Sequence, residues 1–124
     1  MVVVDSCGWL EWFTDGRLAD PYQQYLENKQ ELLVPAIVLY EVYKFLKRQA
    51  GEEKALLAFG HMKSSTVIPL DENLALLAAD VSLRHNLAMA DSIVYAVALA
   101  NNCNLITSDQ DLDALPLVTF IPKT

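Results

Sequence analysis

Residues 1–10 read MVVVDSCGWL, and this stretch decides the fold class of the chain. Val2, Val3 and Val4 form a β-branched run that is apolar throughout, which is typical of a short strand covered on both faces. The carboxylate of Asp5 follows at once, where a buried strand more often turns out to solvent through Gly, Asn or Ser. Ligands of open parallel sheets bind outside the carboxyl ends of the strands. The stretch therefore predicts a first strand that delivers a carboxylate to a ligand site.

Strand and helix patterns alternate through the rest of the chain, without a repeat, a linker or a low-complexity tract. Further short strands are predicted at residues 31–35, 65–69, 103–109 and 117–122, and helices at 6–13, from 20 onward, and at 36–49, 52–63, 72–85 and 87–102. Strands separated by helices predict βαβ units with right-handed crossovers. We therefore expect one α/β domain over residues 1–124, with a mostly parallel sheet of four or five strands flanked by helices.

Local signals predict where several helices begin and end. Ser6 is the expected cap of the first helix, and Asp20 followed by Pro21 predicts the start of the second. Gly51 predicts the end of the long third helix, and Asp71 is the expected cap of the fifth.

The composition limits the classes of function. The 124 residues are 53% hydrophobic and 20% charged, against about 45–50% and about 25% in an average domain, which suggests a second buried surface such as a subunit interface. No apolar run approaches the roughly 20 residues that span a bilayer, and no basic leader precedes the first strand, so we expect neither a membrane segment nor a secretory signal. The formal net charge of −7 argues against ordinary electrostatic binding of nucleic acid, which depends on Lys and Arg.

The two cysteines, Cys7 and Cys103, are too few and too dispersed for a disulfide framework. Both adjoin apolar strand segments, where a free thiol packs as a small hydrophobe. We therefore expect structural thiols in a reducing cytoplasm.

Four acidic residues stand at positions where a charge is costly. Asp5 and Asp109 each close a predicted strand, so both carboxylates are expected to point into one crevice at the sheet edge. Glu41 shares a helix face with the buried apolar stripe, and Asp91 lies in the first turn of the most apolar helix. Each also has an ordinary explanation. Asp5 could be a solvated strand end and Asp109 a turn residue. Glu41 could be a salt-bridged helix residue, and Asp91 a helix cap.

Together, four carboxylates around one sheet edge would repel one another strongly unless a cation neutralised them. Hard oxygen ligands of this kind suit Mg²⁺ or Mn²⁺. Zinc is disfavoured because no Cys/His cluster has ligand spacing and the two histidines lie far apart. Acidic clusters that hold divalent ions occur in phosphoryl-transfer enzymes, and the ions would supply the positive charge that this acidic chain lacks.

Three segments carry the pattern of a known family. Residues 2–13, VVVDSCGWLEWF, contain a strand, an Asp and a following hydroxyl, and residues 32–46, LLVPAIVLYEVYKFL, contain a strand and a helix with a Glu. Residues 87–112, LAMADSIVYAVALANNCNLITSDQDL, combine an A-D-x-x-x-x-A helix with a T-x-D-x-D strand end. In this order and spacing the segments resemble the PIN-domain ribonucleases, specifically the VapC-type toxins of toxin–antitoxin pairs, over essentially the whole chain.

The resemblance implies a Mg²⁺- or Mn²⁺-dependent endoribonuclease that hydrolyses RNA phosphodiesters with a metal-activated water. It implies metal-binding and catalytic roles for Asp5, Glu41, Asp91 and Asp109. Ser6 and Thr107 would be supporting hydroxyls that orient carboxylates or waters, and Asp111 is a secondary candidate for metal binding. Transfer RNA, ribosomal RNA and messenger RNA all remain open as substrates.

The family also implies a homodimer and a cognate antitoxin protein as partners. Lys44 and Arg48 follow Glu41 along one helix face and are candidates for contacts with RNA phosphates, with a solvated helix face as the plain alternative. An acidic surface would suit an antitoxin segment that contains basic residues.

Aromatic residues of the first helix form an apolar edge made of Trp9, Trp12 and Phe13. We expect part of this edge in the core and assign any exposed remainder to a dimer or antitoxin surface. No general-base histidine is required by the implied chemistry, and His61 and His85 are expected at the surface of amphipathic helices.

Other classes of protein share some of these features. A phospho-accepting receiver domain has a parallel sheet with acids at strand ends, but it needs an acidic pair after the first strand and a lysine after a late strand. A phosphatase with an aspartyl nucleophile would have Asp-x-Asp after the first strand, where Cys7 stands instead. A non-catalytic PIN-like interaction module would keep the fold without hydrolysis, and the presence of all four acids counts against it.

Overall fold

Five short parallel strands form the central sheet, and the structure, a computed structural model, describes residues 1–123. In chain order the elements are β1 (Val2–Val4), α1 (Ser6–Phe13), α2 (Ala19–Leu26), β2 (Leu32–Pro35), α3 (Ala36–Ala50), α4 (Glu52–Lys63), β3 (Thr66–Ile68), α5 (Glu72–His85), α6 (Met89–Ala100), β4 (Asn104–Thr107) and β5 (Val118–Phe120). A short 3₁₀ turn at Lys29–Glu31 precedes β2, and another at Gln110–Leu112 follows β4. The predicted α/β fold with a parallel sheet flanked by helices is confirmed.

The sheet has the strand order β3–β2–β1–β4–β5, and each neighbouring pair is parallel. β1 lies at the centre, where Val3 pairs with Leu33 of β2 and with Leu105 of β4. Because β1 and β4 are adjacent and parallel, the residues that follow them meet at one edge of the sheet. Receiver domains have the different order 2-1-3-4-5, so the strand order excludes that alternative.

The core consists of the apolar strands and the helices packed on them. In α6, every residue from Ser92 to Ala98 is buried, as expected for a helix that is apolar nearly all round. α1 packs on α2, α3 on α4, and α5 on α6. Burial of each large apolar side chain contributes about 1.5–3 kcal/mol, so these contacts fix the strand ends from which the polar residues project.

Two helix boundaries follow their local signals. Gly51 ends α3 with a φ of 97°, a left-handed conformation that glycine adopts without strain. Asp71 caps α5 by accepting a hydrogen bond of 2.9 Å from the backbone N–H of Leu74.

Two other boundaries differ from the prediction. Asp5, and not Ser6, is the N-cap of α1, because the chain leaves β1 in an extended conformation at Asp5 and is helical from Ser6 onward. Helix α2 begins at Ala19, so Asp20 lies inside its first turn. An acid and a proline are both accommodated in a first turn, where backbone N–H groups lack partners within the helix.

The aromatic edge of α1 is largely internal. Trp9 is fully buried, and Trp12 and Phe13 are partly buried against the core, which confirms that part of the edge belongs to the core. His61 lies partly at the surface and is half-buried, because its ring packs edge-on against Trp12 and Phe13 with centroid distances of 5.0 Å and 5.8 Å. His85 is also half-buried, with its ring 5.9 Å from that of Tyr95.

Cys7 and Cys103 are both free thiols, the first half-buried and the second buried. Within residues 1–123, no helix has both the length and the apolar character that a membrane crossing requires.

Candidate metal centre

Three of the four predicted carboxylates converge. Asp5, Asp91 and Asp109 each offer a carboxylate oxygen, and these oxygens all lie within 4.8 Å of one another. The residues come from the end of β1, the first turn of α6 and the segment after β4. This spacing is compatible with a single cation bound by all three groups.

Asp5 is the buried member of the group, and its oxygens are held by two donors. The backbone N–H of Ser6 donates to Oδ1 at 2.8 Å, and the hydroxyl of Thr107 donates to Oδ2 at 2.7 Å. Burial raises the pKa of Asp5 above its usual value, and the two hydrogen bonds partly offset that rise. The Thr107 hydroxyl and the Ser6 backbone N–H thus both hold the Asp5 carboxylate, and the supporting roles of these two residues stay predictions.

Thr107 also connects Asp5 with Asp109. Its fully buried hydroxyl accepts a hydrogen bond of 3.0 Å from the backbone N–H of Asp109. The Asp109 side chain in turn accepts a hydrogen bond of 2.9 Å from the backbone N–H of Asp111. Asp109 is thereby the N-cap of the 3₁₀ turn Gln110–Leu112. These bonds orient the Asp109 side chain at the mouth of the sheet edge, while Asp111 stays exposed on the rim.

Asp91 is the third residue of α6 and is half-buried. Helix α6 has Ala88 as its N-cap, so Asp91 is not the cap that the plain explanation required. Burial, followed by the negative charges of Asp109 and Asp5, raises the pKa of Asp91 to about 7. Within residues 1–123 no Lys or Arg forms a salt bridge with any of the three carboxylates. The donor set is therefore all-oxygen, and Lys123, which lines the same cavity, forms no salt bridge with it, which fits a hard divalent cation.

Glu41 lines the same cavity from α3 but does not belong to the group of oxygens within 4.8 Å. Burial raises the pKa of Glu41, the charge of Asp5 adds to this rise, and the Ser6 hydroxyl opposes it. The cavity has a volume of about 680 Å³ and is also lined by Ser6 and Asp111. All the predicted acidic residues thus line one cavity, and Asp5, Asp91 and Asp109 form the compact group among them.

The two predicted RNA contacts lie beside this cavity. Lys44 and Arg48 line a separate groove of about 300 Å³ on the same side of α3, and that groove shares Ser6 and Glu41 with the acidic cavity. Both side chains are exposed.

Sequence reasoning missed a buried polar group behind the carboxylates. The hydroxyls of Tyr22 and Ser108 lie 2.6 Å apart, and the Cys7 sulfur is 3.7 Å from the Tyr22 hydroxyl. Tyr22 is fully buried and Ser108 is 2% exposed, and Ser108 lies directly between Thr107 and Asp109. The one sequence signal was Gly8, which leaves room for the Tyr22 ring against α1, but a glycine alone does not say what fills the space.

Three solved structures share this fold. VapC20 from Mycobacterium tuberculosis, a toxin that cleaves the sarcin–ricin loop, superposes with a TM-score of 0.82 at 20% identity and covers 98% of this chain and 100% of its own. A toxin–antitoxin complex from Klebsiella pneumoniae superposes with a TM-score of 0.78 at 21% sequence identity, and the match covers 96% of each chain. VapBC2 from Rickettsia felis, bound to a DNA fragment from its promoter, superposes with a TM-score of 0.76 at 14% sequence identity, and the match covers 98% of each chain. No protein with curated annotation matches by sequence.

The sequence itself matches one family model. The model of the PIN domain covers residues 2–117, from β1 to the residue before β5. That range includes Asp5, Glu41, Asp91 and Asp109, which the fold brings to one cavity. The chain belongs to the PIN domain family.

Proposed function

We propose that this protein is a divalent-metal-dependent endoribonuclease of a single domain and the toxin of a toxin–antitoxin pair. The observation that carries the proposal is the convergence of Asp5, Asp91 and Asp109, which form no salt bridge within residues 1–123, in a chain of the PIN domain family. Hydrolysis would add water across an RNA phosphodiester and leave a 5′-phosphate and a 3′-hydroxyl.

Asp5, Asp91 and Asp109 would hold the ion, and Mg²⁺ or Mn²⁺ suits them because both prefer carboxylate and water oxygens. Within residues 1–123 no group of histidines and cysteines offers an alternative zinc site. Glu41 and Asp111 face the same cavity and would bind waters of the ion or a second ion. When bound, a divalent ion supplies positive charge against the phosphodiester and lowers the pKa of a water molecule.

The side chains of the protein would prepare the site for the reaction. Thr107 and the Ser6 backbone hold the Asp5 carboxylate in one orientation, so that no reorganisation is needed at the moment of hydrolysis. Asp91 must be deprotonated to act as a ligand, and its raised pKa makes this step dependent on pH near 7. Glu41 would accept a hydrogen bond from the attacking water on the α3 side of the cavity.

Partners follow from the same proposal. The structural neighbours include toxin–antitoxin complexes, which supports a cognate antitoxin as a partner of this chain. The net charge of −7 suits an antitoxin segment with basic residues that reaches the carboxylates. We also propose a homodimer, because exposed apolar residues such as Leu76, Leu83 and Met89 remain on the surface, and a cytoplasmic location, which suits the two free thiols.

Metal removal tests the nuclease directly. Incubation of the protein with labelled single-stranded RNA is expected to give cleavage in Mg²⁺ or Mn²⁺ and none in excess EDTA, with activity restored by added Mn²⁺. Product ends are read by ligation to a 3′-hydroxyl and by phosphatase treatment of the 5′-phosphate. Cleavage that continues unchanged in EDTA would contradict a metal mechanism, and binding of antitoxin without any cleavage would favour the non-catalytic interaction module.

Thr107 provides a second test, because its hydroxyl serves both Asp5 and Asp109. Thr107→Val keeps the shape but leaves the Asp109 N–H without an acceptor and raises the pKa of Asp5 further. We expect a loss of stability of about 1–3 kcal/mol and a 10- to 100-fold weaker affinity for Mn²⁺, measured by thermal unfolding and by calorimetric titration. Thr107→Ser keeps the hydroxyl and serves as the control, and equal Mn²⁺ affinity in both variants would show that the hydroxyl does not support the site.

A further inference from the structure

A groove beside the acidic cluster combines apolar, aromatic and cationic surface. It has a volume of about 300 Å³ and shares Ser6 and Glu41 with the acidic cavity. Leu10 and Phe45 contribute apolar surface to it. The remaining lining residues all project from α3 at successive turns, namely Tyr40, Lys44 and Arg48.

The positive charge of the protein is enriched in the helix pair to which this groove belongs. The hairpin of α3 and α4 holds five of the nine Lys and Arg residues but only three of the sixteen Asp and Glu residues. The rest of the chain has four basic residues against thirteen acidic ones. Within residues 1–123, Lys47 is paired with Glu52, whereas neither Lys44 nor Arg48 forms a salt bridge. Two of the five cations of this helix pair, Lys44 and Arg48, line the groove next to the carboxylates, where an approaching phosphate chain would meet them.

Tyr40 presents its ring at this groove. Tyr40 is 60% exposed, so a large part of its ring is accessible. Lys44 lies one turn further along α3, with its Nζ 3.3 Å from the Tyr40 hydroxyl and 5.4 Å from the ring centroid. An exposed ring beside a lysine without a salt bridge is a combination that single-stranded nucleic acids recognise, since every base has a face that can stack.

We propose that this groove binds one unpaired nucleotide of the RNA beside the scissile phosphodiester, with the base stacked on Tyr40. Lys44 and Arg48 contact the phosphates on either side of that nucleotide. The proposal rests on the ribonuclease function and adds to it a site that selects for an unpaired base. A base inside a duplex already has both faces covered by its neighbours, so the groove favours loops and single strands over helical RNA.

The chain contains a matched control for this site. Tyr43 and Lys47 form a similar pair on α3, with the Lys47 Nζ 5.6 Å from the Tyr43 ring. Tyr43 lines an apolar pocket with Leu39 and Phe59, which Tyr40 borders from its other side, but Tyr43 does not line the groove beside Glu41. Substitution of Tyr43 therefore removes an aromatic ring near a lysine without changing the groove that adjoins Glu41.

The experiment measures RNA affinity in the non-cleaving Asp91→Asn background, by fluorescence anisotropy with a single-stranded oligonucleotide that the wild-type protein cleaves. Tyr40→Ala is expected to weaken the affinity about 10-fold, whereas Tyr40→Phe and Tyr43→Ala change it less than about twofold. A set of oligonucleotides with one abasic nucleotide, moved across the cleaved bond, then locates the contact. When the abasic nucleotide occupies the groove, no base is present to stack on Tyr40. At that one position, the protein with Tyr40 intact and the Tyr40→Ala variant are therefore expected to bind the RNA equally well.

Lys44 and Arg48 are tested by the dependence of affinity on salt. The Lys44→Gln/Arg48→Gln protein is expected to have a salt slope lower by about 1–2, because each phosphate contact on a single strand contributes roughly 0.7. If Tyr40→Ala binds intact RNA as tightly as Tyr43→Ala does, or if its defect persists with every abasic RNA, the subsite is refuted. The ribonuclease function is judged separately, from cleavage by the wild-type protein in Mn²⁺ and its loss in EDTA.

Discussion

The Asp91→Asn protein is expected to lose RNA cleavage by about 100-fold or more and yet to be more stable than the wild type in the absence of metal. Asp91 is one of three carboxylates whose oxygens lie within 4.8 Å of one another, so its charge is needed to bind a cation. The same charge is unfavourable without the cation, since burial and the charges of Asp109 and Asp5 raise the pKa of Asp91 to about 7.

The pH dependence of stability follows from this raised pKa. The folded metal-free protein binds a proton at Asp91 that the unfolded chain releases near pH 4, so this contribution to stability is complete at low pH and is lost as the pH rises toward about 7. Asparagine at position 91 carries no charge at any pH, so it avoids this loss of stability. We expect the Asp91→Asn protein to have a free energy of unfolding higher by on the order of 1 kcal/mol at pH 8, a modest value because Asp91 is partly exposed. Affinity for Mn²⁺ in the wild type should fall as the pH drops below 7.

Thermal unfolding with and without Mn²⁺, together with RNA cleavage, measures both effects. Asp80→Asn is the control, because Asp80 is exposed on α5 and belongs to neither cavity. This variant should cleave RNA and respond to Mn²⁺ as the wild type does. An Asp91→Asn protein that is stabilised by Mn²⁺ as strongly as the wild type would show that the three carboxylates do not share an ion.

Gly8→Ala is expected to be the most destabilising single substitution near the site. A Cβ at residue 8 would lie 2.4 Å from the ring of Tyr22 and 2.7 Å from Val4, both of which are fully buried. Overpacking of this kind costs about 3 kcal/mol, which corresponds to a Tm lower by about 10 °C. Displacement of the Tyr22 ring would disturb its hydrogen bond to Ser108, which lies next to Asp109, so we expect cleavage to fall as well.

Gly60→Ala separates this steric effect from the general effect of glycine in a helix. Gly60 lies inside α4, and no atom outside its own helix backbone and chain neighbours lies within 4 Å of a Cβ built there. Alanine at this position should raise the stability by about 0.5–1 kcal/mol because it restricts the unfolded chain. Circular dichroism melts of the two variants give opposite shifts, and a wild-type Tm for Gly8→Ala would show that α1 and α2 adjust freely.

The sequence predicted those features that a single residue type or a short local pattern is enough to determine. The β-branched run before Asp5, the alternation of strands with helices, and Gly51 and Asp71 as helix boundaries all depend on short-range preferences, and the structure confirms them. The local signals failed at the start of α1, where two adjacent residues could both act as caps. The direction of the chain as it leaves β1 decided in favour of Asp5.

By itself the sequence determined the fold class and the four carboxylates that stand where a charge is costly, because hydrophobic periodicity and the burial of charges are properties of single segments. Only the tertiary structure decided that Asp5, Asp91 and Asp109 form the compact group while Glu41 lies across the cavity. It also decided that Tyr22 and Ser108 join α2 to the end of β4 and that His61 packs among the aromatic rings of α1. These contacts join residues far apart in the chain, and their distances depend on how whole elements pack, which no local pattern encodes.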